Sequence, residues 1–219
     1  MSTSKLKLYS YWWSSCSCRV RIGLNLKGLG YDYIAVNMRN GEHYSDEFKK
    51  LNPISYVPVL VDGDIVVSDS FAILMYLEEN YPQHSLLPRD PKKRAINYQA
   101  VNIVSSSIQP FQNSGNRKFI EGKISSEVQN NWVKNHIERG FTALEKLLKD
   151  YAGKYATGDE AHLADLFLAP QIDAAIERFN LDMTQFPLLL RLHEVYSEHP
   201  AFQDAMPEKQ PDAPSSRTT

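Results

Sequence analysis

The stretch VPVLVDGDIVVSDS, residues 57–70, decides the fold of the first part of the chain. Two runs of aliphatic, mostly β-branched residues flank Asp62-Gly63, a dipeptide typical of a two-residue β-hairpin turn. Ser70 then opens an apolar run, SFAILMYLEEN, whose pattern predicts a helix. The segment therefore predicts a β-hairpin that leads directly into a helix.

Pro58 lies at the beginning of this hairpin. A proline has no backbone N–H to donate within a sheet, so we expect it at the start of the strand. The Val57-Pro58 bond could be cis, which would expose the Val57 backbone at the sheet edge, although most X-Pro bonds are trans. The residues alone leave both isomers open.

Two further strands are predicted upstream, LKLYSYW at 6–12 and YDYIAVNM at 31–38. The segment between them, CRVRIGLNLKGLG, alternates apolar and polar residues, which taken alone indicates a strand. However, Ser14 and Ser15 are good helix N-caps, and Gly28 is a good stop signal. The length also suits a crossover helix between parallel strands, so we predict a helix here.

The rest of the chain shows helical patterns. A proline-containing linker at 82–94 ends in Asp90-Pro91, an N-cap residue followed by proline at the first helical position. Helices are predicted at 91–113, 125–151, 163–179 and 186–200. The end, PEKQPDAPSSRTT, has no large apolar side chain, which favours disorder. We therefore expect an α/β domain at 4–84, an all-helical domain at 91–207 and a disordered tail at 208–219.

The composition is that of a globular protein, with 42% hydrophobic and 23% charged residues among 219. A formal net charge of −2 gives no electrostatic reason to expect nucleic-acid or membrane-surface binding. No apolar run approaches the roughly 20 residues that a bilayer requires. Two cysteines make no disulfide framework, so we expect a reducing compartment, the cytoplasm.

Two predicted helices begin with serine directly after a strand, at Ser14 and at Ser70. A helix N-terminus presents unpaired N–H groups and a partial positive charge, which suit an anion. The plainer interpretation is that these serines only cap their helices. Cys16 and Cys18 have neither the C-x-x-C spacing of a redox pair nor further Cys or His ligands nearby, so no metal site is expected.

Several motifs resemble, in order and spacing, those of the zeta-class glutathione transferases, and most closely of their plant members. They are YSYWWSSCSCRVRIGLNLKG, NPISYVPVLVDG, SDSFAILMYLEENYP, IQPFQN and GDEAHLADLFLAPQI. The resemblance extends from Lys5 to Pro211, and SSC-x-x-RVRI is its most specific element. It implies a thioredoxin-like N-terminal domain, an all-α C-terminal domain, a cis bond at Pro58 and a homodimer.

The resemblance also implies a glutathione site. Ser14 would donate a hydrogen bond to the glutathione sulfur and favour its thiolate, with Ser15 and Cys16 beside it. Tyr9 and Tyr11 are rival donors that we assign to the core. The remaining implied glutathione contacts are the Val57 backbone freed by Pro58, Asp69 at the ammonium, Ser70 at the γ-glutamyl carboxylate, and His43, Gln109 and Asn113.

Because the class includes maleylacetoacetate isomerase, the resemblance implies glutathione-dependent isomerisation of maleylacetoacetate to fumarylacetoacetate, in tyrosine and phenylalanine catabolism. Transferase activity on small α-halo acids is implied as well. Glutathione would act as a cofactor, since the thiol that adds to the cis double bond is regenerated. Arg178 and Arg19 are candidate cations for the carboxylates of the substrate. Asp165, with His162 in place of the usual hydroxyl, resembles the acid of a helix capping box and is expected to be structural.

Two alternatives remain at this stage. The chain could be a thiol transferase or dehydroascorbate reductase that uses Cys16 through a mixed disulfide. It could also be a non-catalytic interaction module with the transferase fold, although the retention of Ser14, Ser15, Cys16, Pro58 and Ser70 argues against that hypothesis.

Overall fold

The computed structural model describes residues 6–215, which form two compact units. Unit 1 comprises the described residues up to Leu86 and from His199 onward, and unit 2 is Leu87–Glu198. The expected linker at 82–94 therefore contains the passage from unit 1 to unit 2. Residues 4 and 5 of the expected first domain, and 216–219 of the expected tail, lie outside the described residues.

Unit 1 contains a mixed sheet. Its described strands are β1 Leu6–Ser10, β2 Tyr31–Ala35, β3 Val59–Asp62 and β4 Ile65–Ser68, in the order β2-β1-β3-β4. β1 pairs parallel with β2 and antiparallel with β3, and β3 pairs antiparallel with β4. The hairpin is confirmed, but its two-residue connection is Gly63-Asp64. Gly63 has φ 61°, a value that glycine adopts without steric cost.

Three α-helices accompany this sheet in the N-terminal part of unit 1: α1 Ser15–Leu26, α2 Asp46–Leu51 and α3 Ser70–Asn80. The helix expected after Ser15 is confirmed. Nearly every residue of α1 from Ser17 to Leu24 is buried, including the polar ones. A helix buried on all sides has no reason to confine apolar residues to one stripe, which explains the misleading alternation. α2 was missed, although Ser45 caps it by accepting a hydrogen bond from Phe48 N at 3.2 Å.

The end of α1 is held by a buried lysine. Lys27 is 2% exposed, and its ammonium lies 2.8 Å from both Glu78 Oε2 and the carbonyl oxygen of Tyr81. Because a buried ammonium is costly unless its donors find acceptors, this arrangement ties α1 to α3 and to the chain that follows it.

Unit 2 is helical. Its helices are α4 Pro91–Asn102, α5 Gln109–Gln112, α6 Ser114–Ile120, α7 Ser126–Leu148, α8 Leu163–Phe179 and α9 Pro187–Glu198. A π-helical segment, Ile103–Ile108, joins α4 to α5, so the helix predicted at 91–113 is continuous but not regular. Asp90 caps α4 as predicted, accepting from Lys92 N at 2.7 Å. A Cβ at Gly140 of α7 would lie 2.3 Å from Ile108 Cδ1, so glycine is needed for this close packing.

The chain after α9 differs from the prediction. Residues 199–207 were assigned to the helical domain and 208–219 to a disordered tail, but α10 Pro200–Gln203 and the residues up to 215 belong to unit 1. A 3₁₀ turn follows at Pro207–Lys209, and Gln210 is 8% exposed. The physical reason is partly apolar, since Phe202 and Ala205 are 0% exposed, and partly polar. Side chains of α1, among them Asn25 and Arg21, donate to the carbonyl oxygens of Ala201 and Ala205.

Across residues 6–215, no helix is long and apolar enough to span a bilayer. Nor does any group of three or more His, Cys, Asp or Glu side chains in that part of the chain have an arrangement that could hold a metal ion.

Candidate active site

A tight turn delivers Ser14 to the start of α1. β1 ends at Ser10, and Ser14 N donates to the carbonyl oxygen of Tyr11 at 3.0 Å, which closes the turn. Ser14 has the extended backbone of an N-cap, φ −82° and ψ 116°, and its Oγ accepts from Ser17 N at 3.1 Å. Ser14 is the N-cap and Ser15 the first helical residue.

The capping geometry leaves the Ser14 hydroxyl able to donate. A serine hydroxyl carries one proton and two lone pairs, and accepting from Ser17 N uses only a lone pair. The half-buried Ser14 lies at the end of α1 where the helix dipole is positive. A sulfur placed against this oxygen would therefore receive a hydrogen bond in a field that favours its anionic form.

Ser15 and Cys16 follow in the first turn of α1. Ser15 is 5% exposed, and among residues 6–215 its buried Oγ has no hydrogen-bond partner. Cys16 is half-buried, whereas Cys18 is buried and donates from Sγ to the carbonyl oxygen of Ala205 at 3.3 Å. Cys18 is therefore a packing residue, and only Cys16 of the pair remains partly accessible.

The Val57-Pro58 bond is cis, as the resemblance implied. Both residues are buried at the beginning of β3. Val57 belongs to a hydrophobic cluster that also contains Tyr11 and has Trp12 and Trp13 packed against it. The structure thus brings the cis proline and the turn before α1 into one cluster, and it places Tyr11 in the core as expected.

α3 begins at Ser70 as predicted, and its N-cap is Asp69, so Ser70 does not have the capping role of the plainer interpretation. Asp69 is exposed with φ 77°, and its Oδ1 accepts from Phe71 N at 2.9 Å and Ala72 N at 3.1 Å. Ser70, 4% exposed, begins the helix. Non-glycine residues with positive φ cost free energy and tend to occur at ligand sites, which agrees with a functional position.

Arg19 does not occupy the place expected of a substrate-binding cation. Its side chain is 1% exposed, and Nη1 donates to Ser70 Oγ at 3.3 Å. A guanidinium buried in this way is inaccessible to a substrate carboxylate, so the prediction of direct contact is wrong. Arg19 instead joins the second turn of α1 to Ser70 and adds a positive charge behind the start of α3.

His43 is buried at 6% exposure and contacts the ring of Tyr44 in a tilted arrangement, with ring centroids 3.9 Å apart. Burial lowers the pKa of His43, so its imidazole is neutral near pH 7. Its buried Nδ1 has no hydrogen-bond partner within residues 6–215. A neutral imidazole has a single N–H, so His43 can supply one hydrogen bond to a ligand.

The site residues predicted in unit 2 form part of an amide network. Gln109 Nε2 donates to Asn113 Oδ1 at 2.8 Å. Gln112 and Gln171 exchange a pair of hydrogen bonds of 2.9 and 3.0 Å, and Gln112 also donates to Gln109 at 3.2 Å. Arg178 lies half-buried in the last turn of α8. The network orders Gln109 and Asn113 relative to each other.

Asp165 has the structural role that was expected. It is 0% exposed, and its carboxylate accepts from His162 N at 2.8 Å, Ala156 N at 2.8 Å and Tyr196 Oη at 2.7 Å. The acid half of the capping box therefore forms although His162 replaces a hydroxyl residue. Burial raises the pKa of Asp165 to about 6, even though the hydrogen bonds act in the opposite direction.

Comparison with known proteins indicates the same family as the sequence motifs. Family models described as glutathione S-transferase N-terminal domain and C-terminal domain match residues 4–79 and 117–204. A zeta-class glutathione S-transferase of Euphorbia esula is 67% identical over 211 residues, covering 96% of this chain and 94% of the relative. The chain belongs to the zeta class of glutathione S-transferases.

Two further relatives of this zeta-class transferase carry the name of an activity. A maleylacetoacetate isomerase of Rattus norvegicus is 43% identical, with all of both chains covered. The crystal structure of a maleylacetoacetate isomerase from Anaeromyxobacter dehalogenans, with glutathione bound in its active site, superposes with a TM-score of 0.88 at 41% identity. That match covers 97% of this chain and 100% of the other.

For this zeta-class transferase the sequence did not lead us to expect that the arginines of α1 are buried. Arg21 is 0% exposed and donates to Ser10 Oγ at 3.1 Å and to the carbonyl oxygen of Trp12 at 3.3 Å. Arg19 donates a hydrogen bond to Ser70 Oγ, as described above. The available signal was the run RVRI inside a helix without a polar face, where an arginine must be buried and therefore bound by acceptors.

Proposed function

We propose that this chain catalyses the glutathione-dependent cis–trans isomerisation of maleylacetoacetate to fumarylacetoacetate. The observation that carries the proposal is Ser14. Its hydroxyl caps α1 through a lone pair and keeps its proton for a ligand at the positive end of the helix. The zeta-class relatives named as maleylacetoacetate isomerases support the choice of reaction.

The described residues of unit 1 fit the parts of glutathione. The first turn of α3 and the buried Ser70, with Arg19 behind it, suit the γ-glutamyl carboxylate. The exposed carboxylate of Asp69 suits the ammonium group. The Val57 backbone before the cis Pro58 suits the cysteinyl backbone. For the glycyl end we propose His43, whose buried ring has one N–H to offer.

When bound, glutathione supplies a thiolate that adds reversibly to the conjugated cis double bond and so permits rotation about it. Ser14 Oγ donates its proton in a hydrogen bond to the sulfur, which lowers the pKa of the thiol from its usual value near 8.5. Ser15 and Cys16 lie beside it in the first turn, where we propose that they assist Ser14. Each unit by which the pKa falls corresponds to about 1.4 kcal/mol of preference for the thiolate.

The other proposed contacts come from unit 2. Gln109 and Asn113, ordered by their mutual hydrogen bond, are proposed as further glutathione contacts. Arg178 is proposed as the cation for a carboxylate of the acidic substrate. With Arg19 buried, it is the remaining candidate of the two arginines named from the sequence. We further propose a cytoplasmic homodimer and transferase activity on small α-halo acids.

The direct test measures the isomerisation of maleylacetoacetate, or of its analogue maleylacetone, by absorbance with the purified full chain. We expect turnover that requires glutathione and leaves its concentration unchanged. Isomerisation at the same rate without glutathione, or no isomerisation with it, would contradict the proposal. A glutathione titration by calorimetry separates a failure of binding from a failure of the reaction.

A second candidate function rests on the accessibility of Cys16. As the second residue of α1, its half-buried thiol could form a mixed disulfide with glutathione, as in a dehydroascorbate reductase. That reaction predicts that Cys16→Ser abolishes turnover of dehydroascorbate while Ser14→Ala is tolerated. The isomerase predicts the reverse ranking on maleylacetone. Cys18→Ser, which alters the buried cysteine of the pair, is the matched control.

A further inference from the structure

The C-terminal segment of unit 1, residues 199–215, contacts the turn that carries Ser14. Asp212 Oδ2 accepts a hydrogen bond from the backbone N of Trp12 at 3.0 Å. Its other oxygen, Oδ1, accepts from Tyr33 Oη of β2 at 2.6 Å. A single carboxylate therefore bridges the turn and the sheet, although Asp212 and Trp12 are 200 residues apart in the chain.

Asp212 is itself held in place. Ala213 N donates to the carbonyl oxygen of Gln210 at 3.0 Å, which closes a turn around Asp212. Gln210 is buried, and its side-chain amide donates to the carbonyl oxygens of Asp204 at 2.9 Å and Met206 at 2.8 Å. The segment thus has an internal hydrogen-bond framework, and Asp212 projects from it toward Trp12 and Tyr33.

The backbone carbonyl oxygen of Trp12 is also bound by a charged side chain. Arg21 Nη2 donates to the carbonyl oxygen of Trp12 at 3.3 Å, and its Nε donates to the carbonyl oxygen of Ala205 at 3.0 Å. Ala205 belongs to the same C-terminal segment as Asp212. Both backbone polar groups of Trp12 are therefore bound by side chains that connect it to this segment, one directly and one through Arg21.

Trp12 is where such a restraint has most effect on Ser14. In the turn closed by Ser14 N and the carbonyl oxygen of Tyr11, Trp12 is the first of the two central residues. A rotation about its backbone bonds would swing Ser14 relative to β1. Hydrogen bonds to its N–H and its C=O oppose that rotation, so the position of the Ser14 hydroxyl depends on Asp212 and Arg21.

We propose that Asp212 is a positioning residue, which holds the turn at Trp12 so that Ser14 Oγ meets the glutathione sulfur at hydrogen-bonding distance. This inference rests on the proposed function of Ser14. Asp212 touches neither cofactor nor substrate in this role and acts through the backbone of Trp12. Tyr33 is its support: burial and the hydrogen bond to Asp212 raise the pKa of Tyr33, so its hydroxyl remains a donor at physiological pH.

The test uses the full chain with four single variants. Asp212→Ala removes both acceptors, and Asp212→Asn keeps an oxygen for Trp12 N while its amide group can donate to Tyr33 Oη. Tyr33→Phe removes the support of Asp212, together with the side-chain hydrogen bond between Tyr33 and Ser10. Glu208→Gln is the matched control, because it neutralises an exposed carboxylate of the same segment. The readouts are kcat and KM for glutathione, and the pKa of the bound thiol from the ultraviolet absorbance of its thiolate.

We expect Asp212→Ala to lower kcat about tenfold and to raise the pKa of the bound thiol, because displacing a catalytic group by an ångström costs up to about 100-fold. KM for glutathione should change less than kcat, since the other contacts are untouched. Tyr33→Phe should shift both readouts in the same direction by a smaller factor. Asp212→Asn should remain close to the wild type, as should Glu208→Gln.

A merely structural role would lower thermal stability and leave the pKa of the bound thiol unchanged, and that result overturns the inference. An Asp212→Asn variant as impaired as Asp212→Ala also overturns it, because hydrogen bonding would then not be the cause. If Asp212→Ala does not fold, Tyr33→Phe is decisive. A raised pKa of the bound thiol in that variant supports the inference, and an unchanged pKa overturns it. A wild type that shows no glutathione-dependent turnover contradicts the proposed function itself, which distinguishes the two failures.

Discussion

The starts of α1 and α3 in unit 1 differ from the start of α8 in unit 2, although all follow the same capping chemistry. At α8 the buried Asp165 accepts hydrogen bonds from His162 N, Ala156 N and Tyr196 Oη, so every donor around it is satisfied. At α1 a neutral hydroxyl accepts from one N–H and keeps its own proton. At α3 an exposed carboxylate accepts from two N–H groups.

The difference shows what separates a structural helix start from a functional one. A buried, anionic and fully bonded cap stabilises the fold and has nothing left for a ligand. A capping side chain that is accessible, or that still has a proton to donate, can bind a ligand. Ser14 suits a sulfur because it can donate, and Asp69 suits an ammonium because it cannot.

Removing the buried acid should cost stability. We expect Asp165→Ala to lower the free energy of unfolding by about 3 kcal/mol, because each buried donor left without an acceptor costs roughly 1–3 kcal/mol. Denaturant unfolding with fluorescence detection measures this. At a temperature where the variant is folded, its KM for glutathione should equal that of the wild type. A change below about 1 kcal/mol, the worth of an ordinary cap, would contradict a special role for the α8 start.

Removing the hydroxyl at α1 should cost activity. We expect Ser14→Ala to reduce kcat/KM for isomerisation about 100-fold, the usual loss when one preorganised donor is removed. Ser125→Ala is the matched control, since Ser125 caps α7 in the same way, accepting from Val128 N at 3.2 Å. Both variants should lose about 1 kcal/mol of stability, but only the first should lose activity. Equal activity in the two variants would make Ser14 a cap alone.

The titration of Asp165 gives stability an unusual pH dependence. Its pKa is raised to about 6 in the folded chain, above the value near 3.9 of an unfolded aspartate, so the folded state binds the proton more tightly. The part of the stability that depends on this proton is therefore fully present below about pH 4 and is lost as pH rises through about 6, while the hydrogen bonds that the carboxylate accepts remain. The stability difference between wild type and Asp165→Ala should fall by roughly 2 kcal/mol over that range. A stability difference between the two proteins that rises with pH would contradict the expected direction of this change.

At α3, loss of the Ser70 hydroxyl should weaken glutathione binding more than turnover. We expect Ser70→Ala to raise the dissociation constant for glutathione about tenfold, as for a charge-assisted hydrogen bond worth roughly 1.5 kcal/mol. Calorimetry gives the dissociation constant and saturation kinetics give kcat. Ser68→Ala, two residues earlier on β4, should leave both unchanged. A loss confined to kcat would assign Ser70 to the sulfur end instead.

The smallest expected effect is that of the Asp69 charge. Asp69→Asn keeps a good N-cap, so the unfolding free energy should stay within about 0.5 kcal/mol. Affinity for glutathione should fall about threefold, because an exposed ion pair contributes up to about 1 kcal/mol. Asp90→Asn, at the similarly capped start of α4, should change neither. Unchanged affinity in Asp69→Asn would leave Asp69 with capping alone.

Local signals were enough to predict much of unit 1 and the helix 163–179 of unit 2. The hairpin, the helix after Ser15 and the helix 163–179 follow from turn residues, caps and apolar patterns, and they are confirmed. The motifs containing Ser14, Val57 and Ser70 identified the family before the structure did. Each of these signals lies within a few residues of the element it predicts, which is why sequence reasoning detects it.

What the sequence could not show depends on contacts between distant residues. Arg19 resembled a substrate-binding cation because RVRI alone does not show which distant acceptor, here Ser70, binds a buried arginine of α1. Residues 208–215 resembled a disordered tail because they lack large apolar side chains. They are held instead by polar contacts such as that between Asp212 and Trp12, which no local pattern encodes.

The central claim is that Ser14 at the start of α1 stabilises the thiolate of bound glutathione. The most direct measurement is the pKa of that thiol in the complex, from the ultraviolet absorbance of the thiolate in wild type, Ser14→Ala and Ser125→Ala. We predict a pKa well below about 8.5 in the wild type and the Ser125 variant, and a value close to about 8.5 in Ser14→Ala. The same lowered pKa in all three proteins would contradict the claim.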